Sequence, residues 1–478
     1  MNSRTKGKAR VRARHGTVGA VVLVALVMVV GVAVARRPDA HPVPRTIALA
    51  DSPSGLVIDA RTGRAFVLGD GYGPFGYRGN VTMLDLASGA SLRTVPVGRV
   101  PAEMLLDQRA NRLLVTDPAA STVSMLDASS GRLLHTAIVG AMQQGVQRIA
   151  VDTVTHRIFV STMTLKGQLP FGGRVRVLDA RTGIIVNTVA AGGGALIVDD
   201  LTGRVLVEGI GAGVSMLDAR TGRVLRVIPL AAGSLAVDRR SGHIFVASAT
   251  RLSMLDARTG QVLHTTSMGM ATTNLLLTVD EADERVLVRD DVRYPPYSGT
   301  VRVVDARHGT LISTVAVGSP SSPGGVAIDG SYGRAFVANS PAGTVSMLDV
   351  RRGVVRKTIA VGAHPVMLAV DERRRRLVCI SASLLSAGSA TSPGRMSVLD
   401  VRSGAVLSSV TIGWGPTAVA LDERMGRALI ANVGGVMRLP DTWAWVPPWL
   451  RGWLPFLPPP ESRTRLVPGS VSMVDITR

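Results

Sequence analysis

The stretch that decides the fold is Gly325–Gly362, GVAIDGSYGRAFVANSPAGTVSMLDVRRGVVRKTIAVG. Four short runs rich in Val, Ile, Ala, Leu and Met are separated by turns that carry glycine or a polar cluster. Runs of that composition between such turns read as β-strands joined by tight hairpins. One sheet of four short strands cannot bury its own two faces and needs similar neighbours on either side. The rest of the chain supplies them.

Two markers recur through the 478 residues. The first closes the first strand of each unit, as in LVID or LAVD, at Asp59, Asp107, Asp152, Asp199, Asp238, Asp280, Asp329, Asp371 and Asp422. The second closes the third strand, as in VSMLD, at Asp85, Asp127, Asp179, Asp218, Asp256, Asp305, Asp349, Asp400 and Asp475. These nine pairs repeat with a period of about 45 residues, in the range of propeller blades. No segment sustains a helical period, which excludes helical solenoids. The fold expected is all-β, a single β-propeller of four-stranded antiparallel blades over residues 45–478. Nine blades exceed the usual range of about 4–8, and a smaller ring with one diverged unit is the alternative.

The ends of the chain point to closure. The ninth unit stops at Arg478, just after its third strand, and so lacks an outer strand. Arg45–Ala50, RTIALA, precedes the first unit and matches the outer-strand sequence Lys357–Gly362, KTIAVG. The first strand is therefore expected to complete the last blade, which removes an exposed sheet edge at the seam.

The units resemble YVTN-type β-propeller repeat proteins, the YncE-like group of exported bacterial and archaeal proteins. The residues that carry the resemblance are Val361, Gly362 and Pro365, the AVD or AID strand ends, Phe336–Asn339 (FVAN) and Val345–Asp349 (VSMLD). It covers residues 45–478 apart from the insertions. What it implies is fold and export, with binding or scaffolding as the usual role of such propellers; a fold does not fix an activity.

The N-terminus reads as a targeting segment. Residues 1–15 hold six Lys or Arg, and Gly16–Ala35 is a run of twenty residues without a charge. About 20 apolar residues span a bilayer as a helix, and the basic flank in front keeps the N-terminus cytoplasmic. The expectation is a basic cytoplasmic region (1–15), a transmembrane signal-anchor (16–35), a linker (36–44) and an extracytoplasmic propeller at the cell membrane. The rival is a cleaved signal peptide, because Ala33-Val34-Ala35 fits a cleavage site; the propeller would then be secreted. Cys379 is the one cysteine, so no internal disulfide forms. Of the formal charge of +20, eight basic residues against Asp39 place +7 in residues 1–44, which leaves +13 for the repeats.

Naming the strands of a unit A to D from the axis outward, turns A–B and C–D lie on one face of the disc and B–C and D–A on the other. The interval that contains the B–C connection varies from 18 residues (238 to 256) to 53 (422 to 475). The insertions Gly69–Asn80, Thr162–Gly173, Arg289–Gly299, Ser381–Gly394 and Val433–Gly469 therefore all project from one face. Loops on a rigid scaffold commonly carry function, so this insertion face is the candidate binding surface, against the bland reading of neutral length drift. The last insertion holds Trp443, Trp445, Trp449, Trp453 and Phe456 among many prolines. Broad apolar rings with a polar N–H suit a protein, a carbohydrate or another cell-envelope ligand; a self-packed cap over the channel is the alternative. Trp414 and His364 belong to the same face.

The opposite face repeats arginine. Arg61, Arg181, Arg220, Arg258, Arg307, Arg351 and Arg402 recur in its turns, and arginines such as Arg64, Arg112 and Arg334 follow the first-marker aspartates at five residues. Pairs such as Asp59 with Arg64 are expected to tie the turn, at about 0–1 kcal/mol each. Arg61, Arg181, Arg220, Arg258, Arg351 and Arg402 are candidate contacts for an anionic surface. The linker reaches the closing strand on this side, and nine extended residues span at most about 30 Å.

Chemistry is sparse. The eight histidines are dispersed, and no HExxH, CxxC, P-loop or GxSxG pattern occurs. Cys379 reads as a buried small apolar residue. Glu103, Asp290 and Asp291 are carboxylates that nothing in the sequence pairs with a base or nucleophile. No catalytic residue, metal or cofactor is expected. The function expected is that of a monomeric, non-catalytic binding or scaffold module acting through the insertion face. The alternatives are a lactonase-like enzyme, which needs Glu, Arg and His around the channel where Gly325, Ser234, Ala195 and Ala418 stand, and polyanion binding on the arginine face. Nucleic acid is disfavoured there because stacking aromatics are lacking.

Overall fold

The computed structural model describes residues 43–438 and 464–477, apart from 74–75, 141–143, 167–168, 210–212, 232, 249, 270–274, 293–297, 319–324, 363 and 383–391. The expected anchor over 16–35 and the five aromatic residues from Trp443 to Phe456 lie outside the described residues. Among the described residues no helix is long and apolar enough to cross a membrane.

Nine four-stranded antiparallel sheets follow one another in chain order. Blades 1 to 8 occupy residues 52–98, 103–138, 144–189, 193–228, 234–267, 275–317, 326–360 and 365–414. Blade 9 takes its strands A, B and C from Pro416–Asp422, Arg427–Asn432 and Ser470–Asp475, and its strand D from Arg45–Ala48 at the start of the chain. Arg45 pairs with Met473 and Ala48 with Ser470, so the expected closure is present. Nine hydrophobic clusters hold the ring, one between each blade and the next, including one that joins Leu429, Val471 and Met473 of blade 9 to Ala65, Val67 and Leu84 of blade 1.

Strand position explains composition. Strand B is covered on both faces by neighbouring blades and is buried almost without a break, as in Arg334–Asn339. That is why it reads as a continuous apolar run and not as an alternation. Strand D faces solvent on its outer side and is mostly exposed, as in Val354–Ala360. The third residue of strand B is phenylalanine in blades 1, 3, 5 and 7 (Phe66, Phe159, Phe245, Phe336), all fully buried, and a smaller residue in blades between them, such as Leu114 and Leu206. The fourth is valine in seven blades; Cys379 takes that place in blade 8 and is fully buried there. Burial pushes its thiol up to about 12, which makes it the inert apolar residue expected.

The turns on the arginine face are built to one plan. Each first-marker aspartate is buried and its carboxylate accepts N–H groups of the A–B turn, as Asp107 does from Arg109 and Ala110. The residue before strand B is left-handed in all nine blades, glycine in five (Gly63, Gly203, Gly242, Gly333, Gly426) and Asn111, His156, Glu284 or Arg375 in the others. Glycine at that place removes a steric penalty that the other four side chains bear.

In eight blades an arginine stands five residues after the first marker, with His243 at that place in blade 5, and among the described residues none of these arginines makes an ion pair with that aspartate. Arg64 reaches Asp85 at 2.6 Å, across the B–C strand pair, and Arg157 reaches Asp179 at 2.7 Å in the same way. The register sets this partner: Arg64 stands directly opposite both aspartates, but the Asp59 carboxylate is turned inward to the A–B turn amides and the hydroxyl of Thr62.

Candidate functional site

On the insertion face the extra residues prolong the blade hairpins. In blade 1, strands B and C run on to Gly73 opposite Gly76; in blade 3 to Lys166 opposite Leu169; in blade 6 to Val292 opposite Ser298. The insertion of blade 9 has its own two-stranded stem, Gly435–Arg438 against Thr464–Val467. Sequence reasoning placed loops here because Gly-rich stretches such as GDGYGPFGYRG carry turn signals; continued pairing of strands already held in register overrides them.

The base of that stem borders a groove of about 370 Å³ between blades 8 and 9. Trp414 and Ile412 from the end of blade 8 form one wall. Pro44, with Thr46 and Ala48 of the closing strand that follows it, forms the other, and Val467 at the end of the stem, with Pro468 and Gly469 after it, forms the third. The side chain of Trp414 is half-buried. His364 is exposed in the D–A connection before blade 8, left-handed in backbone, and its carbonyl accepts the N–H of Ala382 at 3.0 Å.

On the turn face, Arg61, Arg181, Arg220, Arg258, Arg307, Arg351 and Arg402 are all exposed. Six of them occupy the same C–D turn place in the consecutive blades 3 to 8, an arc; blades 1, 2 and 9 carry Ala87, Ser129 and Thr477 there. Part of this charge is spent within the protein. Arg351 meets Asp283 at 2.6 Å, Arg307 is bound by Glu284, and Arg61 lies 3.8 Å from Asp59. Among the described residues Arg181, Arg220, Arg258 and Arg402 make no ion pair. Toward the axis this face holds a cavity of about 810 Å³ walled by Ile197, Leu235, Leu277, Val279 and Ile328, with Arg239 at its rim held by Asp200 at 3.2 Å and Glu281 at 3.8 Å.

Of the three carboxylates that an enzyme reading rests on, Glu103 and Asp290 have partners, and the side chain of Asp291 lies outside the described residues. Glu103 accepts the N–H of Ile149 at 3.1 Å beside Arg148, and burial raises its pKa more than these contacts lower it. Asp290 is 6% exposed and takes a guanidinium N–H from Arg302 at 2.6 Å. The described histidines stand apart: His243 meets the carbonyl of Ala306 and His308 meets Asp305. Among the described residues no three His, Cys, Asp or Glu side chains gather to hold a metal.

Two features escaped sequence reasoning. Arg289, 2% exposed, reaches from blade 6 to the carbonyls of Gly325 and Ala338 in blade 7, at 3.0 and 3.2 Å. A Cβ on Gly325 would stand 3.2 Å from that guanidinium, so the glycine that opens the most regular repeat leaves room for its neighbour's arginine. The second is a pair of arginines, Arg176 and Arg302, where the other repeats have serine or threonine. Aligning the repeats residue by residue exposes both.

The family model described as outer membrane protein assembly factor BamB matches residues 172–407, from strand C of blade 3 to strand D of blade 8. No curated protein matches the chain. Among solved structures, dihydro-heme d1 dehydrogenase NirN is similar at 13% identity and a TM-score of 0.52, over 78% of each chain. Sqt1 of Chaetomium thermophilum, solved bound to the N-terminus of ribosomal protein L10, is similar at 12% identity and 0.52, over 80% of this chain and 94% of that one. Sqt1 of Saccharomyces cerevisiae is similar at 10% identity and 0.51, over 90% and 98%. The chain is a β-propeller. At these identities the propeller shares architecture with its neighbours, and because they include a dehydrogenase and a peptide-bound protein, the architecture leaves the activity open.

Proposed function

We propose that this propeller belongs to the YVTN-type, YncE-like group and serves as a non-catalytic binding or scaffold module, anchored to the cell membrane through residues 16–35 with its blades outside the cytoplasm. Cleavage near Ala35 would give the secreted form of the same module. The ligand is a protein, carbohydrate or other cell-envelope component, bound on the insertion face. One observation carries the reading: every prolonged hairpin leaves the disc on one side, and there a groove walled by Trp414 adjoins the stem of the tryptophan-rich insertion. A half-buried tryptophan beside a cleft offers apolar area at little entropic cost.

Photo-crosslinking of the full-length protein in its native membranes tests this. A photoreactive residue at position 414 should give adducts that vanish when Trp443, Trp445, Trp449 and Trp453 are all changed to Ser. Adducts only from a probe at position 220, on the opposite face, would overturn the reading.

A second reading concerns the turn face. Arg181, Arg220, Arg258 and Arg402, exposed and without an ion pair among the described residues, favour contact with an anionic bilayer surface, and the closing strand starts on that side, where the Arg45 guanidinium lies against Gly89 of a C–D turn. Anionic headgroups attract each nearby arginine by about 1 kcal/mol. The compact unit 41–478 should sediment with phosphatidylglycerol vesicles in low salt, and Arg→Glu at those four positions should abolish it. Sedimentation unchanged by the four substitutions rules the reading out.

A further inference from the structure

In seven blades the strand C residue three places before its closing aspartate is Ser or Thr: Thr82, Ser124, Ser215, Ser253, Ser346, Ser397 and Ser472. Blades 3 and 6 have arginine there, Arg176 and Arg302. Both stand in one register, Arg176 opposite Val160 and Arg302 opposite Val288, each the fourth residue of strand B. Their surroundings differ in one respect that matters electrostatically.

Blade 6 contains its own counter-charge. Arg302 donates to Asp290 at 2.6 Å and to the Thr300 hydroxyl at 3.2 Å, and both carboxylate and guanidinium are largely buried, at 8% and 12% side-chain exposure. In blade 3 the place of Asp290 is taken by Thr162 and that of Thr300 by Arg174. Arg176 donates to the Thr162 hydroxyl at 3.2 Å, and among the described residues neither it nor Arg174 meets a carboxylate. Two residues apart on a regularly paired strand, the two arginines project to the same side. A neutral Arg–Asp–Thr set in blade 6 thus becomes Arg–Thr–Arg in blade 3.

A guanidinium has five N–H donors, and a half-buried one beside a like charge is unfavourable without an anion. Burial, and then the charge of Arg174, both lower the pKa of Arg176. We infer that blade 3 holds an oxyanion-binding site, in which a carboxylate or phosphate group of a ligand engages Arg176 and Arg174 in the place that Asp290 fills in blade 6. The Thr162 hydroxyl orients Arg176, and the site reaches solvent at Arg174, which is exposed. The inference stands on pairings within blade 3 and does not require the reading of the insertion face given above.

Calorimetric titration of the full-length protein at low ionic strength with inorganic phosphate, and separately with succinate, tests it. One equivalent of at least one probe should bind, the tighter probe identifying the phosphate or the carboxylate as the group recognised. Arg176→Ser, which restores the residue of the other repeats and so keeps the fold, should weaken binding about ten-fold or more, as loss of a charge-assisted contact does. Thr162→Asp should do the same while raising the thermal midpoint without ligand, because it supplies the counter-ion of blade 6. Arg223→Ser, an exposed arginine of the other face that neither reading above uses, should change nothing. Absence of binding by both probes, binding indifferent to Arg176→Ser, or equal weakening by Arg223→Ser would overturn the site.

Discussion

The two aspartates of each repeat do different work, and in blade 6 pH separates them. Eight of the strand C aspartates, from Asp85 to Asp400, have carboxyls held below the ordinary range. At Asp349 burial alone would raise the pKa, but the N–H of Arg352 and the guanidinium groups of Arg334 and Arg356 outweigh it. Such a group contributes stability above its unfolded pKa of about 3.9, and that contribution is lost as pH falls through the folded value, because there the unfolded state binds more protons. Asp280 is opposite in sign: burial raises it, as does the charge of Asp283, and one of its carboxylate oxygens has no partner. Its contribution is present at acid pH and lost as pH rises through the raised value. Urea unfolding at pH 7 should therefore show Asp349→Asn less stable by about 1–3 kcal/mol, a deficit that shrinks toward pH 3, whereas Asp280→Asn should be as stable as the parent or more so. Equal losses for both would contradict this assignment. The sequence marked all of these aspartates but assigned Arg64 to Asp59, five residues away; the partner, Asp85, lies twenty-one residues away and is chosen by strand register.

At the scale of the element, the closing strand and the prolonged hairpins differ in how they were legible. Arg45–Ala48 announced itself through its likeness to an outer strand of blade 7, and it pairs as that likeness requires. Its removal strips the outer edge of Ser470–Asp475 and uncovers the cluster against which Ile47 and Leu49 pack. An unpaired edge is a template for intermolecular pairing, so a chain beginning at Asp51 should form oligomers on size-exclusion chromatography and lose its single unfolding transition. A monomeric, fully stable product would show that the seam does not depend on this strand. The hairpins, in contrast, were invisible as strands. Glycine and proline in Gly69–Asn80 advertise a loop, and only the pairing established lower in the same blade carries the ladder outward.

For the whole molecule, nine clusters of similar size share the stabilisation, so no blade is the core on its own. A ring of this kind tolerates loss of a blade only if it recloses. A chain of residues 43–362 lacks blades 8 and 9, leaves Arg45–Ala48 without its partner strand, and exposes the blade 7 and blade 1 faces that Leu377 and Leu429 cover. It should bind a hydrophobic dye and unfold without cooperativity; a cooperative, dye-negative fragment would mean that the units reclose as a smaller ring. The charge of the disc also takes its meaning at this scale. Arginine recurs around the turn face, yet Arg307 pairs with Glu284 of its own blade and Arg351 with Asp283 of the neighbouring blade 6, and among the described residues the other four arginines of the arc make no ion pair.

From the sequence alone came the strands, the nine repeats, the seam and the division of the disc into a regular face and a variable one. Each of these is written in local pattern and in spacing along the chain, and a repeat states the same information nine times. Which arginine meets which aspartate, that the insertions of blades 1, 3 and 6 continue as strands, that Trp414 borders a groove with the closing strand, and that Arg176 lacks the carboxylate its counterpart Arg302 has were decided by tertiary structure. Those facts depend on side chains brought together across strands and between blades, where register and packing, not distance along the chain, choose the neighbour. Gly325–Gly362 shows the division plainly: its four strands are legible in isolation, but its first glycine is explained by close neighbours in space, Ala338 on the paired strand and Arg289 of the blade beside it.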